Sequence, residues 1–293
     1  VGSGQWAERE HSYAPAAYRC PAKINLDLCV GPLRADGFHP VRTWMVTVGL
    51  FDMLTFAPAD DIRLTCDDPS IPADNRNLVW RAAAALRPAD GRGVAMHLAK
   101  RIPAGGGLGG GSSNAATALT ALNDFWQLGH GRQTLSDVAA TLGSDVAFFL
   151  HGPSSVCTGR GEIVTPVPPP PCGWAVLILP GIAMPTPLVY RRLDELRRSE
   201  SDAFDLPAEP LPPAADAAAL LPRLVNDLER PAFDVSPELR RLRETAERHL
   251  GRIVRMSGSG STLFTLFDTE TEAQDAADRV ATLGVKAMAV TVG

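Results

Sequence analysis

No apolar run in this chain approaches the roughly 20 residues that a membrane-spanning helix needs. Basic residues nowhere gather into a long block, and 28 Lys and Arg against 33 Asp and Glu leave a net charge of −5. That balance argues against nucleic acid as the main partner, and the absent apolar run argues against a membrane. Cysteine is sparse and unpatterned. Cys20, Cys29, Cys66, Cys157 and Cys172 are odd in number and include no Cys-x-x-Cys pair. They make no disulfide framework, so a reducing, cytoplasmic compartment is expected. The six histidines show no His-Glu-x-x-His or comparable spacing, so no protein-held metal site is expected. Residues Val1–Glu10 lack the apolar stretch of a secretory signal, and residues 1–13 read as a tail or cloning remnant. No internal repeat is visible.

What remains is a globular composition, 45% hydrophobic over 293 residues, enough for one large domain or two ordinary ones. Ala22-Lys23-Ile24-Asn25-Leu26-Asp27-Leu28 alternates strictly, so it predicts a half-buried strand with Lys23, Asn25 and Asp27 on one face. Arg34–His39 centres on Asp-Gly and reads as a turn. Met45–Leu50, Met53–Phe56 and Val94–Leu98 read as strands, and Leu78–Leu86 as a short helix. Ala115, Ala118, Leu119, Leu122 and Trp126 follow helical spacing, with a start expected at Ser112 or Ser113, both capping types. Five prolines between Pro166 and Pro171 allow neither a helix nor a strand interior and predict a domain connection. Beyond it, Trp174–Leu179, Val254–Met256, Thr262–Phe267 and Ala287–Val290 read as strands. Residues 199–222 read as partly irregular, and Ala273, Ala276, Ala277 and Val280 mark a last helix. Strands and helices mixed in both halves predict an α+β class. The expected units are residues 14–167 and 172–293.

The most informative stretch is Pro103-Ala104-Gly105-Gly106-Gly107-Leu108-Gly109-Gly110-Gly111-Ser112-Ser113. Six glycines in seven positions let the backbone approach a ligand closely, and the helix that follows adds unpaired N–H groups and its positive end. Phosphate is the ligand this favours. A Walker loop ends in Gly-Lys-[Ser/Thr], and no lysine lies inside this one. Gly105, Gly107 and Gly110 fit the Gly-x-Gly-x-x-Gly spacing of a dinucleotide turn. That turn needs an acid at the end of a second strand, and Asp124 falls inside the helical pattern instead.

The stretch resembles the second signature of the GHMP kinases, named for galactokinase, homoserine kinase, mevalonate kinase and phosphomevalonate kinase. Pro21-Ala22-Lys23-Ile24-Asn25-Leu26 is similar to the family's first motif and Ser257-Gly258-Ser259-Gly260 to its third. Arg34-Ala35-Asp36-Gly37-Phe38-His39, Gly143-Ser144-Asp145-Val146 and Asn226-Asp227-Leu228-Glu229 extend the resemblance, which runs from about residue 18 to residue 267. It implies a two-domain GHMP architecture with the active site between the domains. It also implies an ATP-dependent kinase acting on a small molecule. The branch it points to phosphorylates a hydroxyl of a cytidine diphosphate-linked polyol in non-mevalonate isoprenoid precursor synthesis. A homoserine or mevalonate type, a silent ligand sensor of the same fold and a nucleotide-dependent oxidoreductase stay open as alternatives.

Roles follow from the resemblance where residues match. Lys23 and Asp145 are the implied catalytic pair, Asp145 taking the proton of the attacking hydroxyl. Taken singly, Lys23 reads as a solvated strand lysine and Gly143-Ser144-Asp145 as a helix cap. The glycine loop, Asn77 and Lys100 are implied at the ATP site. Asn25, Phe38, His39, Tyr190, Gly258 and Ser259 are implied at the acceptor, with Phe38 and Tyr190 stacking on the base and His39 reading its edge. Mg2+ is expected with ATP, held by phosphates, water and Ser113 rather than by an acidic ligand. Asp27 departs from the family pattern by placing an extra acid near this site.

Overall fold

The structure, a computed structural model, describes residues 17–199, 206 and 214–293. The tail expected over residues 1–13 and most of the irregular region expected over 199–222 lie outside them. One long strand organises the first half. β2 (Val41–Ala59) carries β1 (Ala17–Val30) along one edge, with β4 (Gly93–Ala99) and β5 (Ser154–Thr158) end to end along the other. β3 (Ile62–Cys66) adds in parallel outside β4, and β6 (Ile163–Pro166) outside β5. The sequence predicted two strands where β2 runs unbroken. Asp52 interrupts the apolar pattern, yet the chain stays extended through it because every oxygen of that buried carboxylate finds donors.

α1 (Leu78–Leu86), α2 (Gly110–Phe125), α3 (Arg132–Leu142) and the short α4 (Phe148–His151) contribute to the packing around this sheet. Val79, Ala82, Ala83 and Leu86 of α1 join Ala115, Ala118, Leu119 and Leu122 of α2 in one core with Leu54, Met96 and Leu98 of the sheet. Alanine predominates on these helix faces, which lets α2 approach α1 and β1 closely.

The second half is an antiparallel sheet in the order β10 (Lys286–Thr291), β7 (Trp174–Leu179), β9 (Leu263–Phe267), β8 (Arg255–Met256). α5 (Thr186–Ser199), α7 (Glu229–Val235), α8 (Pro237–Leu250) and α9 (Glu270–Ala281) share a core with it, and α6 (Ala217–Leu220) packs with the inter-sheet core. The two sheets are not independent. Ala22, Ile24 and Leu26 of β1 pack with Leu177 and Leu179 of β7 and Phe264 of β9. Burying the Ile, Leu and Phe side chains among these is worth about 1.5–3 kcal/mol each, so this shared core holds the halves together. It also corrects the half-buried strand expected for β1, in which every residue from Ala22 to Val30 is buried. A bulge between Asn25 and Asp27 breaks the period of two, so Asp27 does not join Lys23 and Asn25.

Candidate active site

The glycine loop lies between the two sheets and is bonded to both. Leu108 carbonyl accepts the N–H of Lys23 in β1 at 2.9 Å, and Gly106 carbonyl accepts the N–H of Thr262 at 3.1 Å. Gly107 carbonyl accepts the Ser257 hydroxyl at 2.9 Å. Three successive carbonyls are thereby tied into the protein, while the N–H groups of Gly107 and Gly109 have no acceptor among the described residues. Inward N–H groups with occupied carbonyls make an anion-binding concavity.

α2 starts at Gly110 with Gly109 as its cap, earlier than the serines predict. Gly109 has φ +68 and no side-chain cap forms. Ser113 therefore sits inside the first turn, fully buried, its hydroxyl without a partner. Gly107 has φ +77, and a Cβ there would lie 2.3 Å from the Ser257 carbonyl oxygen. It serves the packing of the loop onto Ser257–Gly260 rather than only a ligand's approach.

Two cavities flank the loop. The smaller, about 320 Å³, is lined by Pro103–Ser112, Asn77, Leu78, Lys100 and Asn114. Its N–H-lined floor at the positive end of α2 suits a polyphosphate. Asn77 caps α1, accepting from Val79 N–H at 2.9 Å and donating to Pro72 carbonyl at 2.7 Å. Both ends of its amide are thus occupied. Lys100 pairs with Asp52, whose carboxylate also accepts from Arg101 and Ile102 N–H. Asp52 carries no motif. Its signal was a lone acid in the apolar stretch Leu50–Leu54, which demands buried partners.

The larger cavity, about 840 Å³, shares Gly105, Gly107 and Gly109 with the first. Lys23 and Asp145 meet there, Nζ to Oδ2 3.3 Å, across 122 residues of sequence. Neither bland alternative survives. Lys23 is 3% exposed, and α4 begins at Phe148 with Ala147 as cap, so Asp145 caps nothing. Asn25 fixes the ammonium, accepting from Nζ at 2.6 Å while donating to Thr43 Oγ1 at 2.8 Å. Asp27 points elsewhere. It pairs with Arg42 at 2.9 Å and accepts from Val225 N–H at 3.2 Å. Burial pushes its carboxyl above the usual range, and the Val225 and Arg42 contacts oppose that.

Phe38, His39 and Tyr190 also line this cleft. Phe38 is 50% exposed, with the Arg160 guanidinium 4.7 Å from its ring centroid. His39 and Tyr190 rings are 5.4 Å apart, tilted by 39°. Tyr190 lies within α5, and burial, then the charges of Asp145 and Asp227, pushes its phenol up to about 12. His39 Nδ1 is 2.8 Å from Gly31 carbonyl oxygen and Nε2 is 3.3 Å from Asp194. Both ring nitrogens are engaged, so the ring reads a base edge only by giving up Asp194. Arg191, Arg160 and Asp194 also line the cleft, and no family motif named them. Gly258 and Ser259 line the cleft too, Gly258 beside Asn25 and Lys23 and the Ser259 hydroxyl 2.8 Å from that of Thr186 at the start of α5.

The third motif is clamped by Asn226 and Glu229. Asn226 donates to Met256 and Gly258 carbonyls, both at 2.8 Å, and Glu229 accepts Met256 N–H at 2.9 Å. That contact explains why Asn226-Asp227-Leu228-Glu229 stands out in an otherwise featureless region.

Residues 77–153 match the GHMP kinases N terminal domain, and residues 207–286 match the GHMP kinases C terminal domain. The 4-diphosphocytidyl-2-C-methyl-D-erythritol kinase of Geobacillus kaustophilus (strain HTA426) is 40% identical over 261 residues, 87% of this chain and 89% of that one. Its namesake from Rhodococcus jostii (strain RHA1) is 42% identical over 258 residues, 85% of this chain and 82% of that one. A crystal structure of 4-(cytidine 5'-diphospho)-2C-methyl-D-erythritol kinase aligns with a TM-score of 0.77 at 38% identity, over 95% of this chain and 99% of its own. A homoserine kinase from Cytophaga hutchinsonii, TM-score 0.67 at 18% identity, shares the fold. Among the described residues no helix is long and apolar enough to cross a membrane. The α+β halves, the glycine loop between them and these likenesses agree that the chain is a small-molecule kinase belonging to the GHMP kinase family.

Proposed function

We propose that this enzyme transfers the γ-phosphoryl group of ATP to a hydroxyl of 4-diphosphocytidyl-2-C-methyl-D-erythritol, a step of non-mevalonate isoprenoid precursor synthesis in the cytoplasm. One observation carries the reading. Lys23 and Asp145 meet where the two cavities share the glycine loop, so a phosphate on the loop and a hydroxyl in the cleft would face the same pair.

In this scheme the smaller cavity takes ATP, with loop N–H groups and the first turn of α2 on its phosphates. Asp145 orients the acceptor hydroxyl and takes its proton as the new O–P bond forms and the bond to the ADP oxygen breaks. Lys23, held by Asn25, places positive charge beside the equatorial oxygens of the group in transit. The cytidine end lies remote from the chemistry, against Phe38 and Tyr190, where its binding aligns the polyol. Residue types here suit a magnesium ion carried by the nucleotide. Ser113, the expected protein oxygen, is fully buried and lines neither cavity, so phosphates and water rather than this hydroxyl would hold the ion. The ion would neutralise phosphate charge.

The test is ADP release with four acceptors: the cytidylylated substrate, plain methylerythritol phosphate, homoserine and mevalonate. The cytidylylated compound should turn over best, with efficiency well over tenfold above plain methylerythritol phosphate, since each base–aromatic contact is worth roughly 1–3 kcal/mol. Faster turnover of homoserine or mevalonate would remove the substrate assignment. No ADP release with any of them would favour a silent sensor.

A further inference from the structure

Asp52 has no part in the mechanism above, yet it is the most heavily bonded side chain near the loop. It is 0% exposed. Oδ1 accepts Arg101 N–H at 2.7 Å and Ile102 N–H at 2.8 Å, and Oδ2 accepts Asn114 Nδ2–H at 2.9 Å together with Lys100 Nζ. Arg101 and Ile102 lead directly into the glycine loop, and Asn114 stands in the first turns of the helix that follows it. A single carboxylate on β2 therefore holds both ends of the loop.

Lys100 shows why this anchor has to be charged. Its Nζ lies 3.2 Å from where a Cβ on Gly110 would stand, at the start of α2. The N-terminal end of a helix repels a cation, and the Lys100 side chain is only 8% exposed. Without an opposing charge the ammonium would swing out to solvent. Asp52 supplies that charge, and Asn114 Oδ1, 3.4 Å from Nζ, takes a second proton. An ammonium has three, which leaves one for a ligand in the cavity that Lys100 lines.

We propose that Asp52 is a positioning residue for the nucleotide, fixing both ends of the glycine loop and presenting the free N–H of Lys100 to it. This rests on the smaller cavity being the ATP site. Asp52→Asn is the discriminating change. The two backbone N–H groups hold the amide oxygen on their side, so the new NH₂ faces Lys100 and Asn114, donor against donor. KM for ATP and Kd for ADP should then rise roughly 10–100-fold, the worth of a charge-assisted hydrogen bond. The turnover number at saturating ATP and KM for the acceptor should stay within about threefold, because the Lys23–Asp145 pair is untouched. Lys100→Gln should weaken ADP to a similar degree, and the double variant should be no worse than the poorer single, since the two act through one contact. A lowered Tm with ADP affinity within twofold of wild type would make Asp52 structural only and overturn the proposal, as would additive losses in the double variant. If Asp52→Asn does not fold, Asn114→Ala carries the test. It leaves the Asp52–Lys100 pair but frees the helix end, and unchanged ADP affinity there overturns the proposal. Wild-type protein that bound no ADP would instead remove the nucleotide reading beneath it.

Discussion

Gly109→Ala is the sharpest probe of how the loop serves the chemistry. A methyl group at this position would lie 2.9 Å from Lys23 Cγ, 3.1 Å from Lys23 Cε and 3.2 Å from Phe149 Cζ. Carbon atoms rest at about 3.5–4.0 Å, so the lysine stem has to retreat by roughly 0.5–1 Å. Its ammonium sits 2.6 Å from Asn25 Oδ1 and 3.3 Å from Asp145, a placement that such a shift destroys. A misplacement of about 1 Å at a reacting centre costs on the order of 10²-fold in rate. The variant also bears left-handed strain, about 1–2 kcal/mol for a residue with a Cβ. Gly105→Ala isolates that second cost, because Gly105 has φ +69 and nothing within 4 Å of its ideal Cβ. Both variants should lose a few degrees of Tm, and only Gly109→Ala should lose turnover by about 10²-fold at saturating ATP and acceptor. The assay is coupled ADP release beside a thermal melt. Equal turnover in the two variants would refute the idea that the loop seats Lys23.

Asp145→Asn keeps the shape and cannot accept a proton, so turnover should drop roughly 10²–10⁴-fold with KM changed far less; retention of more than about a third of wild-type turnover removes Asp145 from the mechanism. Phe38→Ala should lose roughly 1–3 kcal/mol in kcat/KM for the cytidylylated acceptor while ADP affinity holds, and Phe38→Tyr should be nearly neutral; equal losses in both would mean that stacking is not its role. Tyr190 carries a pH signature, since its phenol is pushed up to about 12. A raised pKa stabilises the fold fully below the unfolded value near 10 and loses that contribution as pH climbs from about 10 towards 12. Absorbance at 295 nm should show one phenolate appearing late, and Tyr190→Phe should abolish that step; a Tyr190 titrating with free tyrosine would contradict the burial that causes the shift.

Local chemistry was legible where it is periodic or glycine-bound. The strand through Lys23, the helix Leu78–Leu86 and the strand Trp174–Leu179 are where the local sequence puts them, although burial on both faces and the bulge after Asn25 undo the shared face expected for Lys23, Asn25 and Asp27. The start of α2 was misread because two serines outbid glycine as caps, although tertiary bonds to Gly106, Gly107 and Leu108 set the geometry of Gly109. α8 had usable signals that went unread: Ser236 caps it at Leu239 N–H, Pro237 opens it and Gly251 closes it with φ +64. The bonding of Asp52 was beyond reach for a different reason. Its partners lie 48 to 62 residues away in sequence, so the lone acid among Leu50–Leu54 signals that partners are needed but not which residues supply them. His39 shows the same limit, because Asp194 takes Nε2, beside the local Gly31 contact of Nδ1, only once α5 has docked.

The glycine loop is a shared wall, bordering the smaller cavity on one side and the larger on the other. Two ligands separated in this way need not exclude each other, so inhibitors built for either chamber should be additive rather than rival. A compound that tethered both across the wall, its linker passing Lys23 and Asp145, would hold its second half at a high effective concentration once the first had bound. Such linkage commonly raises affinity 10²–10⁴-fold without any new contact, provided that the linker matches the span.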